Sequence, residues 1–134
     1  MRLAFFSPLP PSRSGIADYS AALVECLGRH AEVETFSARP AGFDPARYDA
    51  LVYQIGNNVH HDFAYQMALE HPGVVTLHEA NLHHLIAEIT IRRGDWEAYL
   101  AAAAYDGGPQ ALEYARRVRT LEVGPDYDGV AMLR

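Results

Sequence analysis

Cysteine is almost absent from this sequence. Cys26 is the only one, so no internal disulfide can form and a reducing, cytoplasmic setting is expected. An excess of basic charge is missing as well. The formal net charge is -6, which argues against a nucleic-acid surface built on phosphate contacts. No apolar run approaches the roughly 20 residues of a membrane span. Pro8, Pro10 and Pro11 interrupt the amino terminus before the apolar stretch of a signal peptide develops. Neither G-x-G-x-x-G nor a P-loop occurs, and Gly15 stands alone in the first loop. A nicotinamide enzyme of the usual kind is therefore not expected.

A metal motif is missing too, although the histidines invite one. His60, His61, His78, His83 and His84 lie close in sequence, but His83 follows His78-Glu79 by five residues rather than four. On a helix that spacing turns the second ring about 140° away from the first, whereas zinc needs both on one face. No metal and no cofactor is expected, and His60, His61, His83 and His84 read as polar helix-end residues.

What is present describes a globular chain. Its 134 residues are 49% hydrophobic and 21% charged, which is ordinary for one folded domain. Apolar runs of strand length fall at 2–6, 50–55 and 74–77, and a second, short strand is expected near 32–36. Between them the apolar positions recur at helical spacing. Ile16, Tyr19, Leu23, Cys26 and Leu27 predict a helix over 15–27, with Ser14 as its cap, Asp18 in its first turn and Gly28 at its stop. Segment 37–47, with Pro40, Gly42 and Pro45, reads as a surface loop. Phe63, Met67 and Ala68 predict the inner face of a helix over 60–71. Leu82, Leu85, Ile86 and Ile89 do the same over 82–93. Residues 95–134 should be mainly helical. Asp95 caps a helix through Tyr105, Gly107-Gly108-Pro109 breaks it, and Leu112, Ala115, Val118 and Leu121 mark a last helix.

Strands alternating with helices predict a Rossmann-like α/β domain, a parallel sheet with helices on both faces and right-handed crossovers. The first strand should lie centrally, with the second on one side and the third on the other. The polar loops all follow strands, so they collect at the carboxyl ends, where such sheets bind ligands. The candidate crevice opens between 7–15 and 56–61, with His78 at the end of the next strand along.

Each residue there has two readings. The loop Ser7-Pro8-Leu9-Pro10-Pro11-Ser12-Arg13-Ser14-Gly15 leads into a helix N-terminus, an arrangement that offers backbone N–H groups and a positive helix end to an anion. Gly15 lets backbone approach such a ligand, or simply starts a helix. Arg13 is a ligand contact or a solvated loop charge. Asn57 and Asn58 contact a ligand or supply turn chemistry after Gly56. His78, directly after a strand, is a working residue or a histidine satisfied by backbone. Tyr19 and Leu23 read as core.

Four segments carry a resemblance: Phe6-Ser7-Pro8-Leu9-Pro10-Pro11, Ser14-Gly15-Ile16-Ala17-Asp18-Tyr19, Tyr53-Gln54-Ile55-Gly56-Asn57-Asn58 and Val75-Thr76-Leu77-His78-Glu79. In this order they resemble the amino-terminal domain of a family-four ("group 1") retaining glycosyltransferase of GT-B fold. The resemblance covers about residues 1–85; beyond Gly94 no motif matches. It implies a two-domain enzyme whose amino-terminal half holds mainly a carbohydrate or lipid-linked acceptor. The co-substrate would be a nucleotide-diphosphate sugar, with no metal. By this resemblance Ser14 and Gly15 lie on the donor-phosphate side and His78 lies by the transferred sugar as the catalytic residue. Arg13, Asn57, Asn58 and Glu79 lie on the acceptor or sugar side.

The sequence departs from that family in one large respect. The resemblance leads one to expect a carboxyl-terminal donor-binding domain with paired glutamates and basic residues, which residues 1–134 do not contain. The chain is expected to be either a piece of a longer protein or a lone domain, inactive in transfer by itself. Its face toward the missing domain would favour self-association. The expected location is cytoplasmic, or peripheral at the inner face of the membrane. The rival reading is a non-catalytic, flavodoxin-like binding or interaction module, which would keep the sheet without needing Gly15 or His78.

Overall fold

β1 (Arg2–Phe6) is apolar at almost every position and its last four residues are buried, as a strand flanked on both sides must be. It pairs in parallel with β2 (Glu32–Phe36) on one edge and with β3 (Ala50–Ile55) on the other. β4 (Val74–Leu77) adds to β3, also in parallel, so the sheet order is β2-β1-β3-β4. The computed structural model describes residues 1–126, 129, 130 and 132. It divides the chain into two compact units, Met1–Gly56 with His60–His78, and Asn57–Val59 with Glu79–Arg134.

The first unit holds the sheet and two helices, α1 (Gly15–Leu27) and α2 (Asp62–Glu70). The crossover from β1 to β2 and that from β3 to β4 step in opposite directions along the sheet. With right-handed connections, α1 and α2 therefore lie on opposite faces. One face carries a stack of aromatic rings. Phe6 lies 4.8 Å from Phe36 and 4.9 Å from Tyr53, and Phe43 closes on its edge at 5.3 Å. The Tyr53 hydroxyl donates to the His71 carbonyl at 2.6 Å, and burial pushes it up to about 12.

On the other face α1 approaches through small residues. Its buried positions are Ala17 and Ser20, while Tyr19 and Cys26 are exposed. The expected inner face of Ile16, Tyr19, Leu23 and Cys26 is thus rotated. The cause is polar as well as steric: the Ser20 and Ser7 hydroxyls meet at 2.7 Å, both fully buried, and Ser7 also donates to the Pro8 carbonyl. α2 buries Ala64, Tyr65 and Met67 rather than the full set of Phe63, Met67 and Ala68. The segment Val59–His61 before it is a 3-10 turn.

The second unit is helical. α3 (His83–Ile89) stops at Thr90, whose hydroxyl donates to the Ile86 carbonyl. A 3-10 turn (Ile91–Arg93) follows, and Gly94, with φ of 79°, ends it in the left-handed region. The single helix expected over 82–93 is therefore two pieces. α4 (Trp96–Arg119) starts at Asp95, whose carboxylate accepts from the Ala98 N–H at 2.9 Å. The expected break at Gly107-Gly108-Pro109 is a kink inside α4: Gly108 has φ of 62° and ψ of -150°, and the helix resumes at Pro109.

Candidate functional site

The carboxyl end of the first unit is built from three segments. The loop after β1 is stiffened by its prolines and tied down by the Ser7 N–H, which donates to the Phe36 carbonyl at 3.1 Å. It delivers Ser14 as the cap of α1. Ser14 is in extended conformation and its hydroxyl accepts from the Ile16 N–H at 3.2 Å. The Ser14 carbonyl accepts from Ala17 and Asp18. Among the described residues the Gly15 N–H has no acceptor, so it is the open donor of this helix end. An ideal Cβ at Gly15 would meet nothing within 4 Å. The fold itself does not demand glycine there. Arg13 is exposed and makes no ion pair among the described residues.

His78 stands one residue past β4, its N–H donating to the Ile55 carbonyl at 2.9 Å. Its side chain is not satisfied by backbone. The ring Nε2 lies 2.8 Å from Oε1 of Gln54, and the Tyr19 ring of α1 meets the imidazole edge-on at 5.2 Å. Gln54 is fully buried within β3, and its amide Nε2 donates to the Thr76 hydroxyl at 3.3 Å. The Gln54 carbonyl accepts from His61 Nδ1 at 2.9 Å. Gly56 ends the strand with no room for a side chain, because a Cβ would come within 2.6 Å of Ile16 Cδ1 and 3.0 Å of His61 Nε2. The strand end thus brings His78, Gln54, Thr76 and Tyr19 together, and places the open end of α1 at the start of Tyr19's own helix.

Sequence reasoning missed Gln54 and put Tyr19 in the core, although Tyr19 is about half exposed at the rim. One signal for Gln54 was available. It is the only uncharged amide inside an otherwise apolar strand, and the parallel register sets it beside Thr76.

The candidate residues Asn57, Asn58 and Glu79 belong to the second unit, where Asn57 serves helix α3. The Asn57 side-chain carbonyl accepts from the Leu85 N–H at 2.9 Å, and the Asn57 N–H donates to Glu79 Oε1 at 3.4 Å. Asn81 accepts from the His83 N–H at 2.8 Å. Two asparagines from separate loops therefore satisfy open N–H groups of the first turn of α3. Asn57 is neither a plain turn residue nor open to a ligand through its carbonyl. Asn58 is half-buried and Glu79 exposed.

Two of the histidines read as polar helix-end residues do stand at helix ends, His61 just before α2 and His83 at the start of α3, but both are fully buried. His83 Nδ1 donates to the Asp126 carbonyl at 3.0 Å, and its Nε2 accepts from the Tyr99 hydroxyl at 2.8 Å. Burial holds the His83 imidazole below the ordinary histidine value. The second unit also has an open groove of about 420 Å³ lined by Ile91, Trp96, Val118, Leu121 and Pro125, with Glu88 and Arg92 paired at its rim. Among the described residues no group of three or more His, Cys, Asp or Glu is placed to hold a metal ion, and no helix is long and apolar enough to cross a membrane.

No family model matches the chain, and neither a curated protein sequence nor a solved structure matches it significantly.

Proposed function

We propose that this chain is the acceptor-side domain of a retaining glycosyltransferase, which moves a sugar from a nucleotide-diphosphate donor to a carbohydrate or lipid-linked acceptor. The observation that supports this reading best is the strand end itself. A histidine just beyond β4 is held by a buried amide and braced by a ring of α1, the helix whose first N–H is open. Retaining transfer needs stabilisation of a diphosphate leaving group and polar partners around an oxocarbenium-like sugar. A helix N-terminus gives the first without a metal, and His78 gives one of the second. Ser14 and Gly15 take the donor-phosphate side and Arg13 the acceptor or sugar side.

In this reading the nucleotide is gripped by a second, donor-binding domain, and the working location is cytoplasmic. The domain alone then binds uridine or guanosine diphosphate sugars weakly or not at all. Calorimetry checks this, and tight binding by the 134 residues would place the nucleotide site here and overturn the division of labour. In an enzyme joining this domain to a donor-binding one, His78→Ala should lower kcat about 10²-fold or more, the scale for losing one placed polar group. Gly15→Val should abolish turnover. Near-normal transfer by a folded His78→Ala enzyme removes His78 from the site.

A different observation favours an interaction role beside this one. β4 is a bare edge strand, with Val74, Val75 and Leu77 exposed by 60%, 42% and 47%, and it carries no charged residue. Although β4 is only four residues long, exposed apolar edges can template pairing with another chain, which supports self-association of the isolated domain.

A further inference from the structure

We infer that Gln54 is a positioning residue that fixes His78 in its Nε2–H tautomer and leaves Nδ1 as a hydrogen-bond acceptor for a ligand hydroxyl. This rests on reading His78 as a site residue. The tautomer itself follows from the orientation of the Gln54 amide, whose oxygen faces His78.

Gln54 and Thr76 are direct partners in the β3–β4 register, so their side chains project to the same side of the sheet, next to one another. Gln54 is fully buried, and water cannot compete for its amide. Its NH₂ group donates to the Thr76 hydroxyl at 3.3 Å, and its amide oxygen faces His78. An amide oxygen can only accept. The ring nitrogen 2.8 Å away must therefore carry the proton. A neutral imidazole has one N–H, so a proton on Nε2 leaves a lone pair on Nδ1. Among the described residues Nδ1 has no hydrogen-bond partner, and the residue is only partly buried. Tyr19 limits rotation of the ring from the other side, at 5.2 Å and nearly perpendicular.

The consequence concerns chemistry. An Nδ1 lone pair takes a hydrogen bond from an O–H group and repels a phosphate or carboxylate oxygen, which has no proton to give. His78 so held reads a sugar or acceptor hydroxyl, and the diphosphate falls to the helix end at Gly15.

The test is direct nitrogen NMR of the His78 ring in the 134-residue chain, where each tautomer has its own pair of nitrogen shifts. The expected result is a dominant Nε2–H form in the unaltered protein. Gln54→Met keeps the bulk and removes the acceptor, and should lower the ratio of Nε2–H to Nδ1–H about fivefold or more. Should that variant fail to fold, Thr76→Val suits a strand and frees the Gln54 amide to turn; it should shift the ratio the same way, and Thr76→Ser should restore it. A merely structural Gln54 would leave the tautomer ratio unmoved in every variant. That outcome, or an Nδ1–H form in the unaltered protein, overturns the assignment. A dominant Nε2–H form that responds to these changes, together with near-normal transfer by His78→Ala, upholds the role of Gln54 and sinks only the transferase reading.

Discussion

Two glycines make opposite demands, and replacing each by alanine tests how the first unit is built. Gly73 sits between α2 and β4. A Cβ there would lie 2.5 Å from the Leu51 carbonyl oxygen, 2.9 Å from Leu51 Cβ and 2.9 Å from Tyr53 Cε2. The nearest atom belongs to the backbone of a central strand and cannot swing aside, so the segment before β4 must move outward. Overpacking of that kind costs about 1–3 kcal/mol. The shift also pulls on His71, whose carbonyl accepts from Tyr53 at 2.6 Å, and losing that bond adds about 1 kcal/mol. Gly73→Ala is expected to destabilise by about 2–4 kcal/mol. At roughly 4 °C per kcal/mol for a chain of this length, Tm falls by about 8–16 °C. Gly15→Ala is the control. A Cβ at Gly15 meets nothing within 4 Å, so its Tm should stay within about 2 °C of the unaltered protein. Thermal melts followed by circular dichroism at one pH compare the two. A Gly73→Ala variant that melts with the parent would refute the packing described around Leu51 and Tyr53. A large loss at Gly15 would mean that the fold, and not a ligand, requires that glycine.

Removing the α1 cap by Ser14→Ala should cost about 1 kcal/mol, with Ser14→Asn near neutral, read from urea midpoints. Acid should weaken the second unit through His83. Its folded value is lowered while the unfolded value is about 6.5, so the unfolded chain binds the proton first. That stability is fully present above pH about 6.5 and is lost as pH falls through the lowered folded value; melts from pH 7.5 to 5 should show a slope that flattens in His83→Gln. Ion-paired carboxylates such as Glu70 and Glu88 are held below their ordinary range by Arg39 and Arg92, so they titrate at lower pH and leave this window to histidine. Light scattering should show association of the chain at high concentration, and Val75→Lys should suppress it, since a lysine on an edge strand blocks pairing. Equal association by Val75→Lys would remove β4 as the contact.

β1 was legible because a buried parallel strand is written as an almost unbroken apolar run, whereas the edge strand β2, Glu32–Phe36, alternates charged or polar residues with apolar ones. The bounds of α1 were legible too, since Ser14 and Gly28 flag both ends chemically. What periodicity concealed was the depth of each face. Counting large apolar side chains put Tyr19 and Cys26 inward, yet the helix turns Ala17 and Ser20 to the sheet, where the Ser7 hydroxyl waits. Small residues permit close approach, and a scale that rewards bulk ranks them last. α3 was overextended because the spacing of Leu82, Leu85, Ile86 and Ile89 carries no stop signal, whereas the helix ends at Thr90, whose hydroxyl turns back onto the Ile86 carbonyl.

The candidate site was half legible, and the missing half is polar and buried. Position after a strand was enough to single out His78. Nothing in a linear pattern shows that Asn57 accepts from Leu85, 28 residues later, or that the buried His83 ring bonds both the Tyr99 hydroxyl and the Asp126 carbonyl. Such contacts pair residues far apart in sequence, and a buried polar side chain is stable only when those partners exist. Gln54 is the case that matters for chemistry. Burying its amide in β3 requires two partners, and the register supplies Thr76 on the neighbouring strand and His78 two residues beyond it. The same requirement that makes Gln54 tolerable inside the sheet therefore sets the orientation of the histidine at its edge.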